Sequence, residues 1–314
     1  MECDSPTWIK YDVPKYEDGQ WHYAWPAGCG KCMPCLQKRK RQWSFRLSEE
    51  LRVSFSAYFV TLTYNDKFVP YDDNGYCANK NDHKHFIKWL KYYEDEETEV
   101  ISMDEFKRTG SQTKLETGQL KYYATIEYGD FRDRPHWHYI LFNVRDINNC
   151  MLAWAKQVRI SKGVYEPGEA FGRVDIDPRP VTINCIDYVL KYMLKNDAKE
   201  RDQDRQPEVS FMSKGIGLCV ADMEFVNHIR RPENNTVVNQ RGTKVGLPRY
   251  YRKKFLSEAE IEAKQAYVSK MSKTKHDEQE AELLKEGLNP DTITRMGAEN
   301  RYNNLKNRRR RNHD

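Results

Sequence analysis

The chain has 314 residues, room for one large domain or one and a half ordinary ones with a proper core. It is polar, with 32% charged residues and a mean hydropathy of −0.91, yet 12% aromatics exclude wholesale disorder. No apolar run reaches membrane-spanning length, and the start, MECDSPTWIKYD, lacks the basic-then-apolar pattern of a secretory leader. A cytoplasmic protein without a membrane partner is expected.

The net charge of +5 resides in residues 301–314, where Arg301, Lys306 and Arg308 to Arg311 face only Asp314. A second basic block contains Lys31, Lys38, Arg39, Lys40, Arg41 and Arg46 with no acid among them, while acids gather between Glu94 and Glu105. Segregated charge suits a face that binds a polyanion, although for the tail alone a solvated segment accounts for it equally. Of eight cysteines, three stand together as Cys29-Gly-Lys-Cys32-Met-Pro-Cys35. Without a leader, a disulfide framework is not expected.

In chain order, residues 1–28 show no clear periodicity and are expected to form an irregular arm. From about Pro34, Leu36, Trp43, Leu47 and Leu51 recur at helical spacing. Tyr58 to Tyr64, β-branched and aromatic, predicts a strand. Residues 65–81 read as loop, with Asp82 able to cap a helix whose inner face is Phe86, Ile87 and Leu90. Leu120 to Tyr128 and His136 to Val144 predict two strands, and the turn-forming Gly129-Asp-Phe-Arg-Asp-Arg-Pro135 between them predicts an antiparallel hairpin. Residues 151–160 look helical, and Arg173 to Asp177 suggest a short strand. A helix capped by Thr182 should run to about Lys195, and Ser257 with Glu260 forms a capping-box pattern opening a long polar helix to about Glu286. Residues 196–247 carry no assignment. No Gly-rich phosphate loop is present, so a fused ATP-driven motor is not supported.

Two constellations carry chemistry. In His136-Trp-His138, strand alternation sets both imidazoles on one face and Trp137 on the other. Imidazoles about 7 Å apart along a strand can close on one divalent ion if a third ligand approaches from a neighbouring strand. A hairpin closing over 129–134 sets Glu127 opposite His136, giving a set that leaves coordination positions open, as catalysis requires. The bland alternative is a pair of surface histidines. In Asp187-Tyr-Val-Leu-Lys-Tyr-Met-Leu-Lys195, Tyr188, Lys191, Tyr192 and Lys195 fall on one helix side, and Ile183, Ile186, Leu190, Met193 and Leu194 on the other. A half-exposed helix face would look similar.

The H-x-H hairpin with its upstream Glu, followed about fifty residues on by the doubled Tyr-x-x-Lys, resembles the HUH endonucleases. With Cys29-Gly-Lys-Cys32-x-x-Cys35, Tyr58 to Tyr64, and Arg134-Pro-His-Trp-His138, the order of motifs over residues 28–255 is similar to the microvirus replication initiators of gokushovirus type. The resemblance implies an α+β fold, a central antiparallel sheet flanked by helices (the HUH, RRM-like palm). It assigns 29–255 to this domain and 256–314 to a helical, basic extension. It also implies a rolling-circle initiator of a small circular single-stranded DNA phage, acting in the bacterial host cytoplasm with host helicase and polymerase.

Tyr188 and Tyr192 would be nucleophiles, assisted by Lys191 and Lys195, with Mg²⁺ or Mn²⁺ on His136, His138 and Glu127. Thr61, Thr63 and Tyr64 would help shape the site and contact origin DNA. Lys38, Arg39, Lys40, Arg41 and Arg46 are expected on phosphates; Trp137 and Tyr64 either stack on bases or pack in the core. Cys29, Cys32 and Cys35 offer a structural Zn²⁺ three ligands, with a fourth among His22, Cys3 and Cys219; otherwise they form a reduced cluster at a helix start. Competing readings are another HUH relaxase or transposase, or a non-catalytic zinc-dependent nucleic-acid-binding protein.

Overall fold

The computed structural model describes residues 3, 6–17, 20–73, 75–94, 118–129, 133–196, 209–290, 292, 293 and 296. The basic tail, the acids beyond Glu94 and the side chains of His22 and Lys195 lie outside this set. The chain divides into two compact units, Met1–Gln37 with Ala221–Asp314, and Lys38–Val220.

The first unit opens with a hairpin of β1 (Thr7–Glu17) and β2 (Gln20–Ala27), paired from Thr7↔Ala27 to Glu17↔Gln20. The expected irregular arm is therefore corrected to a β-ribbon. Its sequence signal is Asp18-Gly19, a preferred hairpin dipeptide, masked by Pro14 and Pro26, which cannot donate to a ladder. The register shifts between Lys10 and Lys15, around Pro14. Helix α1 (Met33–Val53) begins here and passes to the second unit after Gln37.

The second unit is built on a five-stranded antiparallel sheet in the order β10-β3-β7-β6-β11. Its strands are β3 (Ala57–Leu62), β6 (Lys121–Tyr128), β7 (Pro135–Phe142), β10 (Val174–Ile176) and β11 (Ser210–Met212), with a two-residue ribbon, β4 (Tyr71–Asp72) and β5 (Gly75–Tyr76), between β3 and β6. The mixed α/β content and this sheet agree with the α+β expectation.

Alternation along β7 divides the core. Trp137, Tyr139 and Leu141 pack on one face with Phe86, Ile87 and Leu90 of α2 (Lys80–Glu94) and with α3 (Asn149–Ala153). Ile140 and Phe142 face Leu47 of α1 and Ile186, Val189 and Leu190 of α4 (Ile183–Lys191). Burial on both faces makes β7 almost wholly apolar outside its histidines.

Several local expectations change. Asp82 lies inside the first turn of α2 and accepts from the Tyr64 hydroxyl at 2.9 Å rather than capping the helix. The helix expected over 151–160 stops at Ala153; Ala155–Ser161 forms β8, paired with β9 (Val164–Ala170). Lys156 and Gln157 favour helix, but Val158 and Ile160 alternate and Lys162-Gly163 permits the turn. Gly172 is required by close approach, since a Cβ there would collide with the Thr63 carbonyl.

The remainder of the first unit comprises α5 (Met223–Arg230), a ribbon of β12 (Thr236–Val238) and β13 (Lys244–Gly246), α6 (Arg249–Phe255) and α7 (Glu258–Lys285). The capping box forms as the sequence predicts: the Glu260 amide donates to the Ser257 hydroxyl and the Ser257 amide to the Glu260 carboxylate. Among the described residues, no helix is long and apolar enough to cross a membrane.

Candidate active site and cysteine cluster

The β6–β7 hairpin has the predicted register, with Glu127 opposite His136. His138 lies two residues along, flanked by Thr61 of β3 and Thr125 of β6. The imidazole of His138 is buried and held at both nitrogens: Nδ1 is 3.0 Å from the Thr61 hydroxyl and Nε2 2.7 Å from Glu127 Oε2. The Tyr192 hydroxyl donates to the same carboxylate oxygen at 2.5 Å. Thr61, expected to help shape the site and meet DNA, orients an imidazole within the site from the strand paired beside His138.

Helix α4 delivers the tyrosines. Its α-helical turns end at Lys191, two residues after Val189 seals the core, and a 3₁₀ turn continues over Tyr192–Asn196. The single helix expected to Lys195 is therefore broken at the second tyrosine. The tighter turn carries Tyr192 down to Glu127, and its ring stacks on His138 with centroids 5.6 Å apart and planes at 2°. Tyr188 meets His138 and Tyr192 edge-on, at 6.0 and 5.6 Å. The two phenols are unequal: Tyr192 is fully buried, whereas Tyr188 keeps 41% of its surface exposed.

Lys191 Nζ lies 4.1 Å from the Tyr188 ring centroid and 5.2 Å from that of Tyr192, so one ammonium serves both rings. Burial pushes the Tyr192 phenol well above its ordinary range, reinforced by its bond to Glu127. Burial, then the neighbouring His138, lowers the pKa of His136.

The arrangement fits a divalent cation in part. Thr61 leaves His138 Nε2 aimed at a carboxylate oxygen, and neighbouring donors of an octahedral ion with bonds of ~2.1 Å stand ~3 Å apart. Imidazole with carboxylate is a mixed donor set that favours Mn²⁺ over Mg²⁺ in affinity. Among the described residues, only the cysteines form a group of three or more donors close enough to hold an ion; His136 faces Glu127 across the hairpin without completing such a group. Gly129 leaves room for its ring: a Cβ there would lie 3.2 Å from His136 Cε1.

The cysteine group is Cys3, Cys29, Cys32 and Cys35, a set that could hold a metal. Burial opposes the Cys29 thiolate, but the Lys31 and Cys32 amides and neighbouring thiols bring its pKa to about 7. Cys219 belongs elsewhere, donating to the Glu49 carbonyl at 3.3 Å.

Of the expected DNA contacts, Lys38, Arg39 and Arg41 are exposed and Lys40 half-buried. Arg46 is corrected to an internal role: it is 8% exposed, lies over the Trp43 ring and donates to the Ile216 carbonyl at 3.0 Å. Tyr64 and Trp137 are buried and bonded to each other, so core packing is their place. Thr63 is half-buried, its amide held by the Arg173 carbonyl.

The family described as Replication-associated protein ORF2 matches residues 57–197. The chain is 26% identical over 248 residues to Replication-associated protein VP4 of Bdellovibrio phage phiMH2K, covering 78% of this chain and 71% of that protein. It is 28% identical over 258 residues to Replication-associated protein ORF2 of Spiroplasma virus 4, covering 76% and 71%. Replication-associated protein ORF4 of Chlamydia phage 1 is 25% identical over 252 residues, covering 77% and 56%.

The chain is related to phage replication-associated proteins. Thr61, Glu127, His136, His138, Tyr188 and Tyr192 all fall inside the matched span, whereas the cysteine group precedes it. No solved structure matches the chain significantly.

Proposed function

We propose that the chain starts rolling-circle replication of a small circular single-stranded DNA phage genome by nicking the viral origin through a tyrosine and later rejoining the displaced strand. The observation that carries this reading is the convergence of both tyrosine rings on His138, with the Tyr192 hydroxyl on Glu127, within the span matched by replication-associated proteins.

His136, His138 and Glu127 would hold Mg²⁺ or Mn²⁺, which when bound withdraws charge from the scissile phosphate. The phenolic oxygen of one tyrosine attacks phosphorus in line and the bond to the 3′ oxygen breaks. That oxygen takes up a proton, leaving a free 3′-hydroxyl and a 5′-phosphotyrosine. Because one phosphodiester replaces another, rejoining requires no nucleotide hydrolysis. Lys191, already over both rings, and Lys195 offset the negative charge that develops on phenolate and phosphate. Host polymerase extends the 3′ end as a host helicase unwinds the duplex ahead of it, and the second tyrosine cuts the regenerated junction while the new 3′-hydroxyl resolves the first adduct. Lys38, Arg39, Lys40 and Arg41, with Thr63, provide the DNA contacts in the host cytoplasm.

The test is a metal-dependent, denaturant-resistant protein adduct on origin-containing single strands. Tyr188→Phe and Tyr192→Phe singly should retain single-round cleavage, and the double variant should lose it. Undiminished nicking by the double variant would overturn the reading, and metal-dependent binding without any adduct would favour a non-catalytic binding protein.

A further inference from the structure

We propose that Cys3, Cys29, Cys32 and Cys35 bind one structural Zn²⁺ that closes the open end of the N-terminal hairpin onto the first turn of α1. The inference rests on the first unit alone and is independent of the nicking chemistry.

Topology brings the ligands together. Thr7 pairs with Ala27 at the open end of the ribbon, so the chain four residues before β1 meets the chain two residues after β2. Those positions are Cys3 and Cys29, and the Cys29 amide donates to Cys3 Sγ at 3.2 Å. The remaining two come from the start of α1: Cys32 immediately precedes its first residue, Met33, and Cys35 lies in its first turn. Spacings of three residues thus set one thiol in the turn, one at the helix boundary and one on the helix.

The metric supports zinc over a disulfide. All four sulfur atoms lie within 4.8 Å of one another, and Cys3 Sγ and Cys32 Sγ are 3.7 Å apart. A tetrahedron with Zn–S bonds of ~2.3 Å has edges of ~3.8 Å. A disulfide would need sulfurs at ~2.05 Å.

The surroundings suit four thiolates. The Lys31 and Cys32 amides donate to Cys29 Sγ at 3.4 and 3.3 Å, dispersing charge without supplying a competing cation. Gly30 takes φ +76°, which this turn needs and a side chain resists, and a Cβ on Gly28 would stand 3.0 Å from Cys35 Sγ. With four protein ligands the coordination is closed, as in a structural rather than a catalytic zinc site.

The hairpin also has reason to need a clamp. Trp8, Tyr16, Trp21 and Tyr23 are exposed, so these rings do not form a core, and an isolated two-stranded ribbon is marginal in water. Metal binding supplies the missing stabilisation directly.

The full chain, purified under reducing conditions, should carry one zinc per chain by atomic emission. Its Co²⁺-substituted form should show the intense visible bands of a tetrahedral tetrathiolate. Cys3→Ser should weaken zinc retention by at least about tenfold. Cys3→His, which keeps four donors, should retain zinc while shifting the Co²⁺ bands as nitrogen replaces sulfur; this readout survives if the serine variant does not fold. Cys185→Ser, outside the group, should change neither. Absence of zinc after reconstitution, or an unshifted Co²⁺ spectrum in Cys3→His, would overturn the proposal.

Discussion

Two clusters of potential metal donors sit in different units of this chain and are organised differently. Around Cys3, Cys29, Cys32 and Cys35 the donor atoms converge on a common centre, and backbone amides donate to the sulfurs of Cys3 and Cys29. Around His138 the donors bind each other: Nε2 is on Glu127, and the Tyr192 hydroxyl shares that oxygen. Convergence with nothing left to react is what a fold-holding site requires. Donors that can exchange one another for an ion, a phosphate or a phenolate are what a reacting site requires. The contrast teaches that both can be built from spacings of two or three residues, and that the neighbours of those residues decide which results.

The contrast breaks most readily under chelation. Brief treatment with a chelator should abolish nicking, a loss of at least about a hundredfold from removal of Lewis-acid charge, while zinc content and far-ultraviolet circular dichroism stay constant. Simultaneous loss of zinc and activity would show that the clusters are not distinguished by accessibility. Thr61→Val tests the histidine side more finely. It deletes the hydroxyl at 3.0 Å from His138 Nδ1 and should lower Mn²⁺ affinity by about tenfold, rescued by excess metal, with Tm little changed. A loss of activity that excess Mn²⁺ does not restore would rule out an orienting role. The smallest effect belongs to Gly28→Ala, whose Cβ would press on Cys35 Sγ. Zinc dissociation should quicken by about threefold through crowding of one ligand, with adduct formation per folded chain unchanged.

Much of the histidine–tyrosine site was legible because its signals are local. Turn formers between two apolar strands fix the pairing of Glu127 with His136, and a period of two fixes the face of His138. The Ser257 capping box was legible for the same reason. What escaped depends on partners distant in sequence. Lys156 and Gln157 have helical propensity and lie in a strand because β8 pairs with β9, Gln157 opposite Pro167 and Lys156 at the register shift beside it. Arg46 belongs to a run of bases, yet the Ile216 carbonyl and the Trp43 ring draw it inward. The break at Tyr192 has no sequence signature; it follows from Glu127, sixty-five residues earlier, accepting its hydroxyl. Cys3 was one of three candidate fourth ligands, and the pairing of Thr7 with Ala27, which brings it beside Cys29, is what singles it out.

Trp137, the residue between the two histidines, carries a consequence for how this site can vary. Its indole N–H donates to the Tyr64 hydroxyl at 2.9 Å, which in turn donates to Asp82, anchoring β7 through the face away from the imidazoles. A slip of one residue would expel this indole from the core and turn both histidines over with it. The alignment of β7 is therefore recorded on the side that does no chemistry. Trp137 thus supports, from the opposite face, the register that the turn formers set, and the imidazoles keep their place as long as this indole stays buried.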